Sequence, residues 1–180
     1  AWLTRASIYQ VQGRYEDARR ACQPLLRLTG RHVAHTCLAD IASLSGQAAM
    51  SREMLTASLE RPGVSARERL WILTILAEMT ARTGDVKAAE KHFLDARGLG
   101  MKDHYLFGAY ADFLLDQGHA QEVVTLLQRE TRADGLLLRL TLAEQALHMP
   151  ASKDHTAELA ARFAAGRERG TNVHVREEAR

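Results

Sequence analysis

The chain is poor in the residues that usually announce chemistry. Its 180 residues include two cysteines, three prolines and only four lysines. Cys22 and Cys37 form neither a paired metal-ligand spacing nor a Cys-x-x-Cys redox motif. Cys22 falls on an apolar helix position and reads most simply as a small core residue. Nothing in the spacing supports a disulfide between the two. There is no glycine-rich phosphate loop, no nucleophile elbow and no His-Glu-x-x-His run. The eight histidines make no ligand set: His32 and His35 are three apart, but no second pair is placed nearby. These gaps argue against an enzyme and against any cofactor or metal. No apolar run approaches the roughly 18 residues of a membrane span. No secretory signal is visible. The chain opens Ala1-Trp2-Leu3-Thr4 without methionine and reads as an excised piece of a longer protein. Both a cytoplasmic default and a periplasmic location therefore stay open. A net charge of +2 says little about partners, and twenty arginines beside four lysines read as genome composition.

What is present is a period. An alanine is followed seven residues later by glycine, or once by proline: Ala6/Gly13, Ala39/Gly46, Ala77/Gly84, Ala111/Gly118 and Ala143/Pro150. The alanines recur at intervals of 33, 38, 34 and 32 residues. Self-similarity of this length marks stacked supersecondary units. In the first unit Trp2, Ala6 and Tyr9 share one helical face, and Gly13 stops that helix. A second helix follows with Tyr15, Ala18, Cys22 and Leu25 on its buried stripe, and Pro24 falls inside it. Each unit is thus a hairpin of two amphipathic helices. Alanine at the facing position lets the helix axes approach closely.

The expected fold is all-α: five tandem antiparallel helical hairpins over 1–30, 32–62, 66–100, 103–133 and 135–168. Residues 171–180 read as the start of a sixth. The longest interval places an insertion around Arg61-Pro62-Gly63-Val64-Ser65. In the fifth unit Met149-Pro150-Ala151-Ser152 predicts a longer, less regular turn. An uncapped array end would expose apolar surface and favour self-association.

Trp2, Ala6, Tyr9, Gly13, Tyr15 and Ala18 stand at spacings that resemble the tetratricopeptide repeat family. The later units keep the alanine and glycine positions while losing several aromatics, and the family's proline near the repeat end is missing. The resemblance covers essentially the whole chain and implies a right-handed superhelix with a concave groove lined mainly by first helices. It also implies a non-catalytic protein-interaction scaffold.

Asp40, Glu78, Asp112 and Glu144 each follow the repeat alanine. In the family's geometry that position faces the groove, so these carboxylates would form an acidic ladder, joined by Asp116 one turn on. Such a ladder suits a basic peptide or helix of a partner protein. The same residues equally serve a solvated helix face. Trp71 and Tyr105, near the starts of their first helices, are candidate apolar anchors or inter-hairpin packing residues. One subclass of the family clamps a C-terminal carboxylate with lysine and asparagine; Asp and Glu at these positions speak against that. RNA binding is a distant reading, because the predicted groove is acidic. Arg162, Arg167, Arg169 and Arg176 are interrupted by Glu168, Glu177 and Glu178 and read as a solvated face. The competing reading is a structural spacer or dimerisation region of a larger protein.

Overall fold

The computed structural model describes residues 1–170; the expected sixth unit at 171–180 lies outside them. The described residues are helical and contain no strand. They fall into two compact units, Ala1–Met101 and a second that begins at Lys102.

The first unit comprises α1 (Trp2–Val11), α2 (Tyr15–Cys22), α3 (Leu25–Leu28), α4 (Arg31–Ala42), α5 (Ala48–Leu59), α6 (Ala66–Arg82) and α7 (Val86–Gly98). Helix α1 packs on α2, α4 on α5, and α6 on α7; α2 also packs on α4, and α5 on α6. Pro24 splits the expected second helix in two, because its ring and missing N–H cannot continue the α-helical ladder. The insertion falls between α5 and α6, where Gly63 has φ 87° and Arg69 Nη2 donates to the Leu59 carbonyl at 2.9 Å. Ser65 then starts α6 with a reciprocal cap: the Glu68 N–H donates to Ser65 Oγ, and the Ser65 N–H donates to the Glu68 carboxylate. From Leu70 to Thr80 nearly every residue of α6 is buried, which makes it the central helix of this unit. Two apolar clusters result. Ala18, Cys22, Leu25, Ala34, Cys37 and Ile41 belong to one, and Leu55, Ile72, Ile75, Leu76 and Met79 to the other.

The cysteines are not separate core residues. Cys22 on α2 and Cys37 on α4 form a disulfide with their Cα atoms 5.9 Å apart. The bond staples the first hairpin to the second. Fifteen residues separate the two cysteines in sequence, yet the packing of α2 on α4 sets them face to face.

The second unit comprises α8 (His104–Asp116), α9 (Ala120–Leu127), α10 (Asp134–Ala146) and α11 (Ala151–Glu168). Asp103 caps α8 by accepting the Leu106 N–H at 3.0 Å. Leu106, Leu114, Val123, Leu127, Leu137 and Leu140 are wholly or almost wholly buried.

One expectation of register is overturned here. In the first and fourth hairpins Gly13 and Gly118 take φ of 72° and 77°. Each donates its N–H three residues back, while the next residue donates five back: Arg14 to the Tyr9 carbonyl and His119 to the Leu114 carbonyl, both at 2.8 Å. In the fifth hairpin the same pair of bonds is made by His148, to Gln145 at 3.0 Å, and by Met149, to Glu144 at 2.8 Å. His148 has φ 53° and so stands where the others have glycine. The turn is therefore as tight as its neighbours, and Pro150 sits at the start of α11 instead of in the turn. Seven residues before His148 is Thr141, not Ala143. Thr141 occupies the repeat-alanine position, its hydroxyl donating to the Leu137 carbonyl at 2.8 Å.

A histidine in left-handed backbone is strained relative to glycine. His148→Gly is expected to stabilise the protein by about 0.5–1 kcal/mol, the relief of strain exceeding the added entropy of the unfolded chain. Urea unfolding of the two proteins checks this; a lower midpoint for the glycine variant would contradict it.

Candidate functional site

The predicted carboxylates do not share one environment. In the first unit Asp40 is packed among the first helices of all three hairpins. Its side chain is only 14% exposed. Gln10 Nε2 on α1 donates to Oδ2 at 2.9 Å, and the Arg82 guanidinium on α6 lies 3.9 Å from Oδ1. Arg82 also donates to Ser43 Oγ at 2.9 Å, and Ser43 donates to the Asp40 carbonyl at 2.6 Å. This small network ties α1, α4 and α6 together. Burial pushes the Asp40 carboxyl above its ordinary 3.8, while the Gln10 hydrogen bond and the Arg82 charge oppose the shift.

A raised carboxyl pKa means that the folded state holds the proton more firmly than the unfolded one. The stability from this group is complete below 3.8 and is lost as pH rises through the raised value. Asp40→Asn keeps the Gln10 hydrogen bond and removes that loss. The stability of wild type relative to the Asn variant is therefore expected to fall from acid to neutral pH, by about 1 kcal/mol or less. Urea midpoints across that range test it, and a difference that grows with pH would reverse the assignment.

Glu78, next to Ala77 on α6, is half-buried. Trp71 is half-buried on the same helix and packs against both apolar clusters of the unit. It is a wedge between hairpins. A depression of about 300 Å³ elsewhere in the unit is lined by Ala48, Ala49, Arg52, Met79, Thr83 and Asp85, and takes in none of the predicted residues.

In the second unit Asp112 on α8 is gripped by Arg139 on α10. Arg139 Nε donates to Oδ1 at 2.9 Å and Nη2 donates to Oδ2, a bidentate pair. The remaining nitrogen, Nη1, donates to the Gly135 carbonyl at 2.7 Å. Tyr105, in the first turn of α8, is 47% exposed, and Asp116, at its end, is exposed. Steps of seven and eleven residues return to nearly the same side of an α-helix, so Tyr105, Asp112 and Asp116 share one face.

Glu144 does not belong with them. Once His148 is recognised as the turn residue, the position after the repeat alanine is Leu142, and Glu144 falls on the buried side of α10. It is 4% exposed and meets His155 Nδ1 of α11 at 2.7 Å. Glu144 is a packing partner for α11, not a ladder rung. The Glu144–His155 contact, like the Asp112–Arg139 pair, carried no sequence signal: each joins two different helices, and periodicity within one helix does not relate their residues.

Among the described residues no group of three or more His, Cys, Asp or Glu side chains is placed to hold a metal ion. Burial lowers the pKa of His35, and Arg61, Arg31 and His32 lower it further. Among the described residues no helix is long and apolar enough to cross a membrane. The sequence matches no protein-family model and no curated protein.

Proposed function

We propose that this chain is a tetratricopeptide-like scaffold that binds a protein partner without catalysis, its hairpins continuing as a right-handed superhelix. The observation that carries this reading is the α8 face. An exposed aromatic ring, a carboxylate held in place by Arg139 and an exposed carboxylate recur there at helical spacing. Tyr105 supplies apolar contact area, and Asp116 attracts a cation. The Asp112–Arg139 pair offers a polar surface already fixed in one geometry. The partner segment is a basic peptide or helix.

The experiment is fluorescence anisotropy with an arginine-rich helical peptide, at low and at physiological salt. Tyr105→Ala combined with Asp116→Lys is expected to weaken binding at least about tenfold, with helicity unchanged because both side chains are exposed. Equal binding by both proteins, or by neither, would refute the α8 face as the site.

A structural spacer is the second reading, and one observation favours it. Asp40, Asp112 and Glu144 are engaged in ties between helices, so much of the expected acidity serves the fold. The Cys22–Cys37 disulfide supports an oxidising compartment under either reading, because such bonds persist chiefly there.

A further inference from the structure

The depression lined by α5 and by the turn that joins α6 to α7 has a cause in the repeat. Two and three residues after its turn glycine, the first hairpin carries Tyr15 and Glu16, and the third carries Val86 and Lys87. The second hairpin carries Ala48 and Ala49 at those points. Two short side chains there leave about 300 Å³ open beside the buried Met79 of α6.

Two opposite charges line this space without meeting. Arg52 comes from α5, and Asp85 is the residue that starts α7. Among the described residues neither one forms an ion pair. Ala48, Ala49, Leu55 and Thr56 stand three or four residues from Arg52, so α5 offers it no carboxylate one turn away. Asp85 Oδ1 accepts the Ala88 N–H at 3.1 Å, which fixes the carboxylate, while Oδ2 takes no hydrogen bond from the described residues. Thr83 Oγ1 donates to the Thr80 carbonyl at 3.0 Å, so its oxygen keeps lone pairs for an incoming donor. The His92 ring on α7 lies in the field of both charges. Burial lowers its pKa most, Lys91 and Arg52 add to the shift, and Asp95 and Asp85 oppose it.

These groups select among ligands. An anion alone would face Asp85, a cation alone would face Arg52, and an apolar molecule would strip water from both. A zwitterion satisfies the pair. The volume stands at the small end of the usual range for ligand pockets, about 300–1,000 Å³, which suits a metabolite and is too little for a nucleotide or a helix. In an α-amino acid the ammonium and the carboxylate share one carbon, so together they bridge charges too far apart to pair directly.

We propose that this depression binds a free α-amino acid with an apolar side chain. Arg52 takes the carboxylate, Asp85 and the Thr83 oxygen take the ammonium, and Ala48, Ala49 and Met79 receive the side chain. This inference does not rest on peptide binding at α8, and either can fail without the other.

Titration of isotope-labelled protein with L-leucine at neutral pH, followed by amide chemical shifts, tests it. Saturation with a dissociation constant of about 1 mM or tighter is expected. The shifts should centre on Ala48, Ala49, Arg52, Thr83 and Asp85. Isocaproate, which lacks the ammonium, and leucinamide, which lacks the carboxylate, should each bind at least about tenfold more weakly. Arg52→Gln and Asp85→Asn should weaken leucine binding by a similar factor. Ala49→Phe, which fills the space without touching either charge, should abolish it. All three positions are exposed, and asparagine still caps a helix, so the fold is kept. The two analogues need no substitution and test the charge pairing by themselves. No saturable shift with leucine, shifts centred elsewhere, analogues that bind as well as leucine, or binding that survives the three substitutions would overturn the proposal.

Discussion

Reducing the Cys22–Cys37 disulfide is expected to lower the stability of the first unit by about 3 kcal/mol, the chain-entropy figure for a loop of this length. Both sulfurs are buried, Cys22 at 0% and Cys37 at 5% exposure. The loop between them holds the Pro24 break, the short α3 and the turn into α4. In the unfolded chain this irregular segment has much freedom, and the bond removes part of it. The packing around it is part alanine, with Ala18, Ala21 and Ala34 burying little apolar area each, and part larger side chains, Leu25 and Ile41. Urea unfolding of oxidised protein, reduced protein and Cys22→Ala/Cys37→Ala should show the last two weakened alike. Hydrogen exchange should place the loss in α1 to α4 and leave α8 to α11 protected. Equal stability of the oxidised and reduced forms would show that α2 and α4 hold together without the bond.

Ala111→Leu should cost about 1–3 kcal/mol by overpacking. Ala111 is wholly buried on α8, which packs against α9 and α10. Neighbouring Leu106, Leu114, Val123 and Leu127 are also closed to solvent, so three added carbons must push a helix aside. Thr141 should respond the same way, because the His148 turn puts it at the equivalent point of α10. Thr141→Leu also removes the hydroxyl that donates to the Leu137 carbonyl. Thermal unfolding reads both. A neutral Ala111→Leu would mean that α8 and α9 stand further apart than described, and a neutral Thr141→Leu would favour Ala143 as the true repeat position.

Much of the helical grammar was legible from residue types. Gly13 and Gly118 mark the turns because only a residue tolerant of positive φ closes a helix with that pair of bonds. The buried face of α2 followed from the spacing of Ala18 and Cys22, whereas on α1 Ala6 is buried, Tyr9 is half-buried and Trp2, expected on the same face, is 37% exposed. The fifth turn misled because composition points to proline, whereas the backbone closes on His148. A non-glycine residue in left-handed geometry has a weak sequence signature. The two-residue slip then carried Glu144 from a surface position to a buried one.

The disulfide had no support in the sequence for a related reason. Cysteine spacing along the chain says nothing about two helices that meet through packing. The repeat register held a usable hint: Cys37 lies two residues before Ala39, at the position that Ile75 fills before Ala77. Both are buried where α4 and α6 take the preceding second helix.

By itself the sequence determined local matters: helix extents, most turns and the apolar faces that helices must cover. These follow from backbone preference and periodicity, which act within a few residues. The tertiary structure decided which charges are spent inside the molecule. Asp40 meets Gln10 and Arg82, Asp112 meets Arg139, and Glu144 meets His155, each across helices that are distant in the chain. A carboxylate's role depends on its neighbours in space and on its access to water, and helical periodicity encodes neither.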